Sequence, residues 1–371
     1  MRSEPGVVAV TGAAGFIGRN LVVRLEELGY DVRQITRAST VEETEAALAA
    51  VDAVFHLAGA VRPLDPGEFV RTAAFANRVA AEIAKSGRRP LVVYSSSRKA
   101  SEDTDFGRCV RACEEAILGL GERGEANVAV YRLPNVFGKW ARPDYNSCVA
   151  TFCHNLARGL PIRIDDPAAP LSLLYVDDLI EQWRALMDRP PPANGYLEAE
   201  QVWDTTVGEL AATLSVFAQG RRGGQIENVG SGLLRALYAT FIAALPTEAF
   251  SYPLVAHTDP RGSFAEVFKT RGGGQVSVLT AQPGVTRGGH YHHTKVEKFL
   301  VVSGRARFRF RHIRSDETFE LTTSGEEPVV VETIPGWTHD ITNVGDGVMV
   351  SLLWASEIFD RSRPDTVPMP L

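Results

Sequence analysis

The segment from Gly284 to Gly304 constrains this 371-residue chain more than any other. It reads Gly284, five residues, His290-Tyr291-His292, four residues, Glu297, six residues, Gly304. Successive side chains on a strand point to opposite faces, so His290 and His292 share one face and both imidazoles can point into a closed sheet. A second segment, Gly336-Trp337-Thr338-His339-Asp340-Ile341-Thr342-Asn343, brings a further histidine on a separate strand. Three imidazoles and one carboxylate, from His290, His292, Glu297 and His339, suit zinc, iron, manganese or nickel, and the affinity order alone does not choose among them. The alternatives are a hydrogen-bonded polar core and a metal held for stability alone. His293 falls on the opposite face, and it, His257 and His312 are expected at the surface or in a supporting shell.

The texture around these segments is all-β. From Tyr252 onward short period-2 runs, at 275–280, 298–302, 306–311 and 348–354, are broken by glycine and proline. The amino-terminal half reads differently. A strand at 6–10, a glycine turn, a helix at 20–28 and a second strand at 32–36 form a βαβ opening; a helix at 41–50 and strands at 53–57 and 91–94 continue the alternation. After about residue 145 the pattern becomes mainly helical with proline-rich loops, as in a small substrate-covering lobe. The expected architecture is α/β plus all-β: a Rossmann-type doubly wound parallel sheet with a small lobe over 1–246, then a β-barrel over 253–371. Residues 245–253 read as a linker, and 221–225 as a solvated basic loop.

The net charge is −6, with 39 basic residues mixed among 45 acidic ones, which offers no footprint for nucleic acid or an anionic membrane. No apolar run approaches the roughly 18 residues of a membrane span, and the first ten residues lead into a strand pattern rather than a cleavable signal. A small-molecule substrate and a cytoplasmic location are expected. Cys109, Cys113, Cys148 and Cys153 show no C-x2-C spacing and are read as reduced and structural.

Thr11-Gly12-Ala13-Ala14-Gly15-Phe16-Ile17-Gly18 lies between a strand and a helix, where glycines permit a tight turn and helix N-terminal amides can approach a pyrophosphate. The second strand ends in Thr36-Arg37, and an arginine where an acid would hold a ribose hydroxyl favours NADP(H) over NAD. These residues, Val54-Phe55-His56-Leu57-Ala58-Gly59 and Ser95-Ser96-Ser97 resemble an extended short-chain dehydrogenase/reductase over residues 6–245. The resemblance adds Phe16, Ile17, Leu57, Ala58, Gly59 and Pro134 to the cofactor-contacting set. It also implies a serine with a Tyr-x-x-x-Lys pair, in which the lysine lowers the tyrosine pKa for proton transfer during hydride transfer. Here Phe106 stands at the tyrosine position and Val110 at the lysine position. Ordinary ketone reduction is not expected, because a phenyl ring supplies no proton. Lys99 and Arg108 are read as solvated and Tyr94 as core; Ser97 with water is the remaining route for residual NADPH-dependent reduction of a 4-keto sugar.

The segments Tyr131-Arg132-Leu133-Pro134-Asn135-Val136-Phe137-Gly138-Lys139-Trp140 and 141–147 resemble the CapF family of bifunctional capsular polysaccharide enzymes, and the histidine segments resemble the two cupin motifs. That family joins a reductase domain to a cupin barrel. The resemblance implies zinc in the cupin, a UDP-linked 4-keto-6-deoxy N-acetylhexosamine as substrate, epimerisation at C3 by the cupin, NADPH reduction at C4 by the reductase domain, and a homodimer. The base for proton abstraction stays open among Lys298, Asp340 and a metal-bound hydroxide. Two other readings remain: an Fe(II)-dependent cupin oxygenase, and a binding or assembly protein in which neither site turns over.

Overall fold

A computed structural model describes residues 6–61, 65, 67–253, 256–259, 262–265, 268–270, 274–315, 317–357 and 362–371; the side chain of His257 lies outside the described set. One compact unit comprises Met1–Phe137 and Leu171–Asp204, the other Gly138–Pro170 and Thr205–Leu371.

In the first unit, strands β1 (Val7–Thr11), β2 (Asp31–Ile35), β3 (Ala53–His56), β4 (Leu91–Ser97), β5 (Asn127–Leu133) and β6 (Gly195–Leu197) form one sheet in the order β2-β1-β3-β4-β5-β6, every pair parallel. The sheet is buried on both faces, and strand alternation divides its side chains between two cores. Val8, Val10, Phe55, Val93 and Tyr131 pack with Leu21 and Trp183 on one side. Ala9, Val54, Val92 and Tyr94 pack with Val79, Ile83, Cys113 and Ile117 on the other. Helix α1 (Phe16–Glu27) follows β1; α2 (Val41–Leu48), α3 (Gly67–Ser86) and α4 (Asp105–Glu122) fill later crossovers. Strand order reverses between β1 and β3, so the carboxyl ends of these strands flank a topological switch point, the place where open α/β sheets bind ligands.

The second unit carries helices α5 (Cys148–Ala157), α6 (Val207–Gly223) and α7 (Gly232–Ala243) together with the β-rich region. Strands β7 (Ser251–Pro253), β8 (Gln275–Ala281), β9 (Thr286–Tyr291), β10 (Glu297–Ser303), β11 (Arg305–His312), β12 (Thr318–Ser324), β13 (Val329–Glu332), β14 (Trp337–Asn343), β15 (Met349–Ala355) and β16 (Val367–Pro368) form two five-stranded sheets. Their orders are β7-β13-β10-β15-β8 and β12-β11-β14-β9-β16, the pairing antiparallel throughout. This is the expected cupin architecture.

Two expectations are corrected here. Residues 245–253 are not a loose linker. Phe250 is fully buried among Phe310, Phe319 and Trp337, with ring centroids at 5.8, 5.6 and 5.0 Å, and β7 extends a barrel sheet. Nor is 221–225 a solvated loop at its start: Arg221 lies in α6, and its guanidinium pairs with buried Glu332. Local composition suggested solvation, but a distant buried acid captured the cation. The four cysteines are free, and Cys109, Cys113 and Cys153 are buried. Among the described residues no helix is long and apolar enough to cross a membrane.

Candidate functional site

Strand β9 reaches His290 through a bulge. Its register against β14 shifts between Gly288 and His290, and both Gly288 and Gly289 have positive φ, +98° and +70°. A side chain at Gly288 would meet the His339 carbonyl at 2.9 Å, so only glycine lets the two strands approach this closely. The result places His290 opposite His339. The rings of His290, His292 and His339 lie 4.9, 4.9 and 5.2 Å apart, and one donor atom from each of these and from Glu297 falls within 4.8 Å of the others.

Backbone carbonyls hold two of the three imidazoles of this cluster. His292 donates from Nδ1 to the Asp365 carbonyl at 2.5 Å, and His339 from Nδ1 to the Trp337 carbonyl at 3.3 Å. Nε2 of each ring faces Glu297. His292 Nε2 lies 3.2 Å and His339 Nε2 3.7 Å from Glu297 Oε2, and the latter nitrogen is buried without a hydrogen-bond partner. Burial, followed by the neighbouring His339 and His292, lowers the pKa of His290 to about 4, which keeps it neutral. Three convergent imidazoles, an ionised carboxylate and an orphaned inward nitrogen fit a divalent metal.

The two side chains expected as bases do not join the cluster. Lys298 follows Glu297 on β10 and so points to the other face, where its ammonium pairs with Glu332 near the Tyr252 hydroxyl. Burial opposes its charge, yet the Glu332 carboxylate outweighs this and holds the ammonium above its ordinary range. Asp340, next to His339, likewise faces away and accepts from Arg309 at 3.1 and 2.5 Å. His293 packs edge-on against Tyr291, outside the cluster. The cation that does reach the site is Lys295, whose Nζ lies 3.5 Å from Glu297 Oε1 and donates to Thr366 Oγ1 at 3.1 Å. It sits in the spacer of the histidine motif, where alternation gives no direction.

At the switch point of the first unit, Gly12 has φ +67°, and a side chain there would meet Ala58 N at 2.8 Å. A side chain at Gly18 would collide with the Gly12 carbonyl at 2.2 Å. Helix α1 begins at Phe16, and its cap residue, Gly15, offers no side-chain cap, so its first amides remain available to an anion. The Thr11 hydroxyl accepts from Leu57 N at 3.1 Å and Ala58 N at 3.2 Å and lies 2.8 Å from His56 Nδ1, which ties 57–59 to the glycine turn. Thr36 caps its own turn with Ser39, and Arg37 is exposed just beyond β2. Pro134 follows β5 directly.

Beyond β4 the expected proton-transfer positions are occupied as the sequence indicates. Thr104 caps α4 through Gly107 N at 3.0 Å, which sets Phe106 in the first turn and Val110 one turn later. Phe106 packs against Phe69 with centroids 6.1 Å apart, and Val110 is buried. Ser97 accepts from Lys99 N at 3.2 Å as a cap. Arg108 is held on the surface by Asp103 and Asp105, and Tyr94 is core, burial foremost raising its pKa. The polar network lies instead on Glu114, which accepts from Arg132 at 2.8 and 2.6 Å, from Tyr196 at 2.9 Å, and from Ser96. Its members come from four separate elements, so no local motif announces it.

Two family models match the chain: the NAD dependent epimerase/dehydratase family over residues 8–195, and the Polysaccharide biosynthesis C-terminal domain over 257–367. The chain belongs to the NAD dependent epimerase/dehydratase family, here joined to that second domain. It is 48% identical, over 97% of each chain, to a UDP-2-acetamido-2,6-beta-L-arabino-hexul-4-ose reductase of Pseudomonas aeruginosa. The crystal structure of the capsular polysaccharide assembling protein CapF from Staphylococcus aureus is similar at 36% identity, covering 98% of this chain and 100% of that one, with a TM-score of 0.66. A structure of CapF with the inhibitor 3-isopropenyl-tropolone matches at a TM-score of 0.62, again at 36% identity over 98% of this chain and 100% of that one. Within the family, this chain is a CapF-type enzyme.

Proposed function

We propose that this chain is a metal-dependent cupin enzyme acting on a nucleotide-linked keto-deoxy sugar, by 3-epimerisation or a related isomerisation or elimination. In this reading residues 253–371 carry the proton-transfer chemistry. Residues 1–246 hold the nucleotide and NADP(H) through Gly12, Gly15, Phe16, Ile17, Gly18, Thr36, Arg37, Leu57, Ala58, Gly59 and Pro134, without Tyr/Lys-dependent reduction. The observation that carries the proposal is the convergence of His290, His292, Glu297 and His339 within 4.8 Å, in a chain whose reductase helix bears Phe106 and Val110.

A zinc ion held by these four residues would act as a Lewis acid toward a sugar carbonyl and favour loss of the proton on the neighbouring carbon. The chain's own contribution is orientation and charge. His292 and His339 are held in one tautomer by backbone carbonyls, and Glu297 stays ionised inside the barrel. The Lys295 ammonium stands beside the carboxylate, where its positive charge favours a developing enolate. The name of the Pseudomonas relative supports a UDP-linked keto sugar as the substrate class, although that relative is called a reductase.

The test is metal analysis of the purified protein together with NMR of a UDP-4-keto-6-deoxy sugar in D2O, with and without chelator and NADPH. Chelator-sensitive deuterium uptake at C3 without NADPH consumption is expected. Stoichiometric NADPH oxidation would restore the reductase reading, and bound iron with oxygen-dependent turnover would replace the sugar chemistry by oxygenase chemistry.

A further inference from the structure

Four residues separate His292 from Glu297, and the turn they form determines whether the two donors meet. Its three successive amides, His293 N, Thr294 N and Lys295 N, all donate to the Asp365 carboxylate, at 2.8, 2.7 and 2.7 Å, and the Thr294 hydroxyl adds a fourth bond at 2.9 Å. Consecutive amides converging on one anion form a concave nest, here filled by a side chain from about seventy residues away. The carbonyl of the same residue accepts from His292 Nδ1. The next residue, Thr366, receives the Lys295 ammonium, and beyond it β16 pairs with β9 so that Pro368 stands opposite His290. Met369 N donates to the Gly289 carbonyl at 2.8 Å, and the Met369 carbonyl accepts from Thr338.

We infer that the segment 365–369 is a strap that assembles the histidine cluster, with Asp365 as its positioning residue: the carboxylate shapes the 293–295 turn while the carbonyl selects the His292 tautomer. Asp365 touches neither the cluster centre nor a reacting atom and acts through His292 and the turn. The strap rests on the proposed metal reading for its purpose and on hydrogen-bond geometry alone for its existence. Supporting partners of this kind commonly change metal affinity by about 10–100-fold.

The experiment compares full-length wild type, Asp365→Ala and Asp365→Asn in two ways. Zinc affinity is measured by chelator competition, and the His292 tautomer is read from long-range 15N–1H spectra of histidine-labelled, metal-stripped protein. Both variants should bind zinc about 10–100-fold more weakly and lose the single Nδ1–H tautomer of His292, and cobalt in the site should show an altered ligand-field spectrum. A merely structural carboxylate would lower thermal stability and leave tautomer and spectrum as in wild type. Should Asp365→Ala fail to fold, Asp365→Asn, which keeps the shape and loses the anion, decides. Folded variants with wild-type zinc affinity and an unchanged tautomer overturn the strap while leaving the metal reading intact. A wild type that binds no zinc overturns the metal reading, and the tautomer comparison then decides the strap by itself.

Discussion

The cradle at Gly12–Gly18 is made of backbone, whereas the cluster at His290, His292, Glu297 and His339 is made of side chains, and the two respond differently to substitution. A turn built from uncapped helix amides and glycines that leave no room for Cβ atoms does not depend on the side chains at 106 or 110. Only the proton-transfer groups leave with those two side chains. On the proposed function the barrel site has no such division, because its donors would be both its binding surface and its chemistry. A chain can therefore keep a reductase fold and its cofactor turn while the reaction passes to the other site.

The strongest way to break this comparison is to rebuild the missing pair. Phe106→Tyr with Val110→Lys should raise NADPH-dependent reduction of a keto sugar nucleotide by about 10²–10⁴-fold, followed as loss of NADPH absorbance. No gain would mean that the cradle has lost its cofactor along with its chemistry. On the barrel side, His290→Ala should cost more than the roughly 100-fold in zinc affinity expected from a supporting residue, and should abolish chelator-sensitive exchange. Retained stoichiometric metal would remove His290 from the ligand set.

A third test probes the outer face of the barrel. Glu332 is fully buried between Lys298 and Arg221, so Glu332→Ala should destabilise the second unit by about 3–5 kcal/mol in denaturant unfolding, because it strands two cations. Replacing all three by apolar residues of similar volume should recover most of that loss. A small effect of Glu332→Ala would show that the cations reach solvent.

The smallest effect separates the units by pH. Burial lowers the His56 pKa from 6.5 to about 4, so between these values the unfolded chain binds a proton that the folded chain refuses. Stability from this group is complete above about pH 6.5 and falls by about 3 kcal/mol as the pH drops to about 4. Urea titrations across that range should show the slope, and His56→Leu should flatten it.

Much of the site was legible because periodicity carries it. Alternation on one strand put His290 and His292 on a common face, and it also excludes Lys298 and Asp340, since each directly follows an inward ligand. The glycine turn was legible for a similar reason: strand, turn and helix are local. Phe106 and Val110 were placed by the resemblance to the reductase family, with helical spacing to align them. Less visible were Lys295, inside an irregular turn, and the Glu114 network, whose partners Arg132 and Tyr196 lie on β5 and β6.

By itself the sequence determined the two architectures and the four candidate ligands, because each is a matter of residue type at a short, regular spacing; that Phe106 and Val110 replace a tyrosine and a lysine came from the resemblance to the reductase family. Tertiary structure alone decided that Phe250 closes an aromatic core rather than ending a linker, that Arg221 is captured by Glu332, and that Asp365 crosses about seventy residues to shape the turn between His292 and Glu297. The reason is physical: a buried charge or a set of orphan amides must find a partner, and where that partner comes from depends on chain path rather than on local pattern.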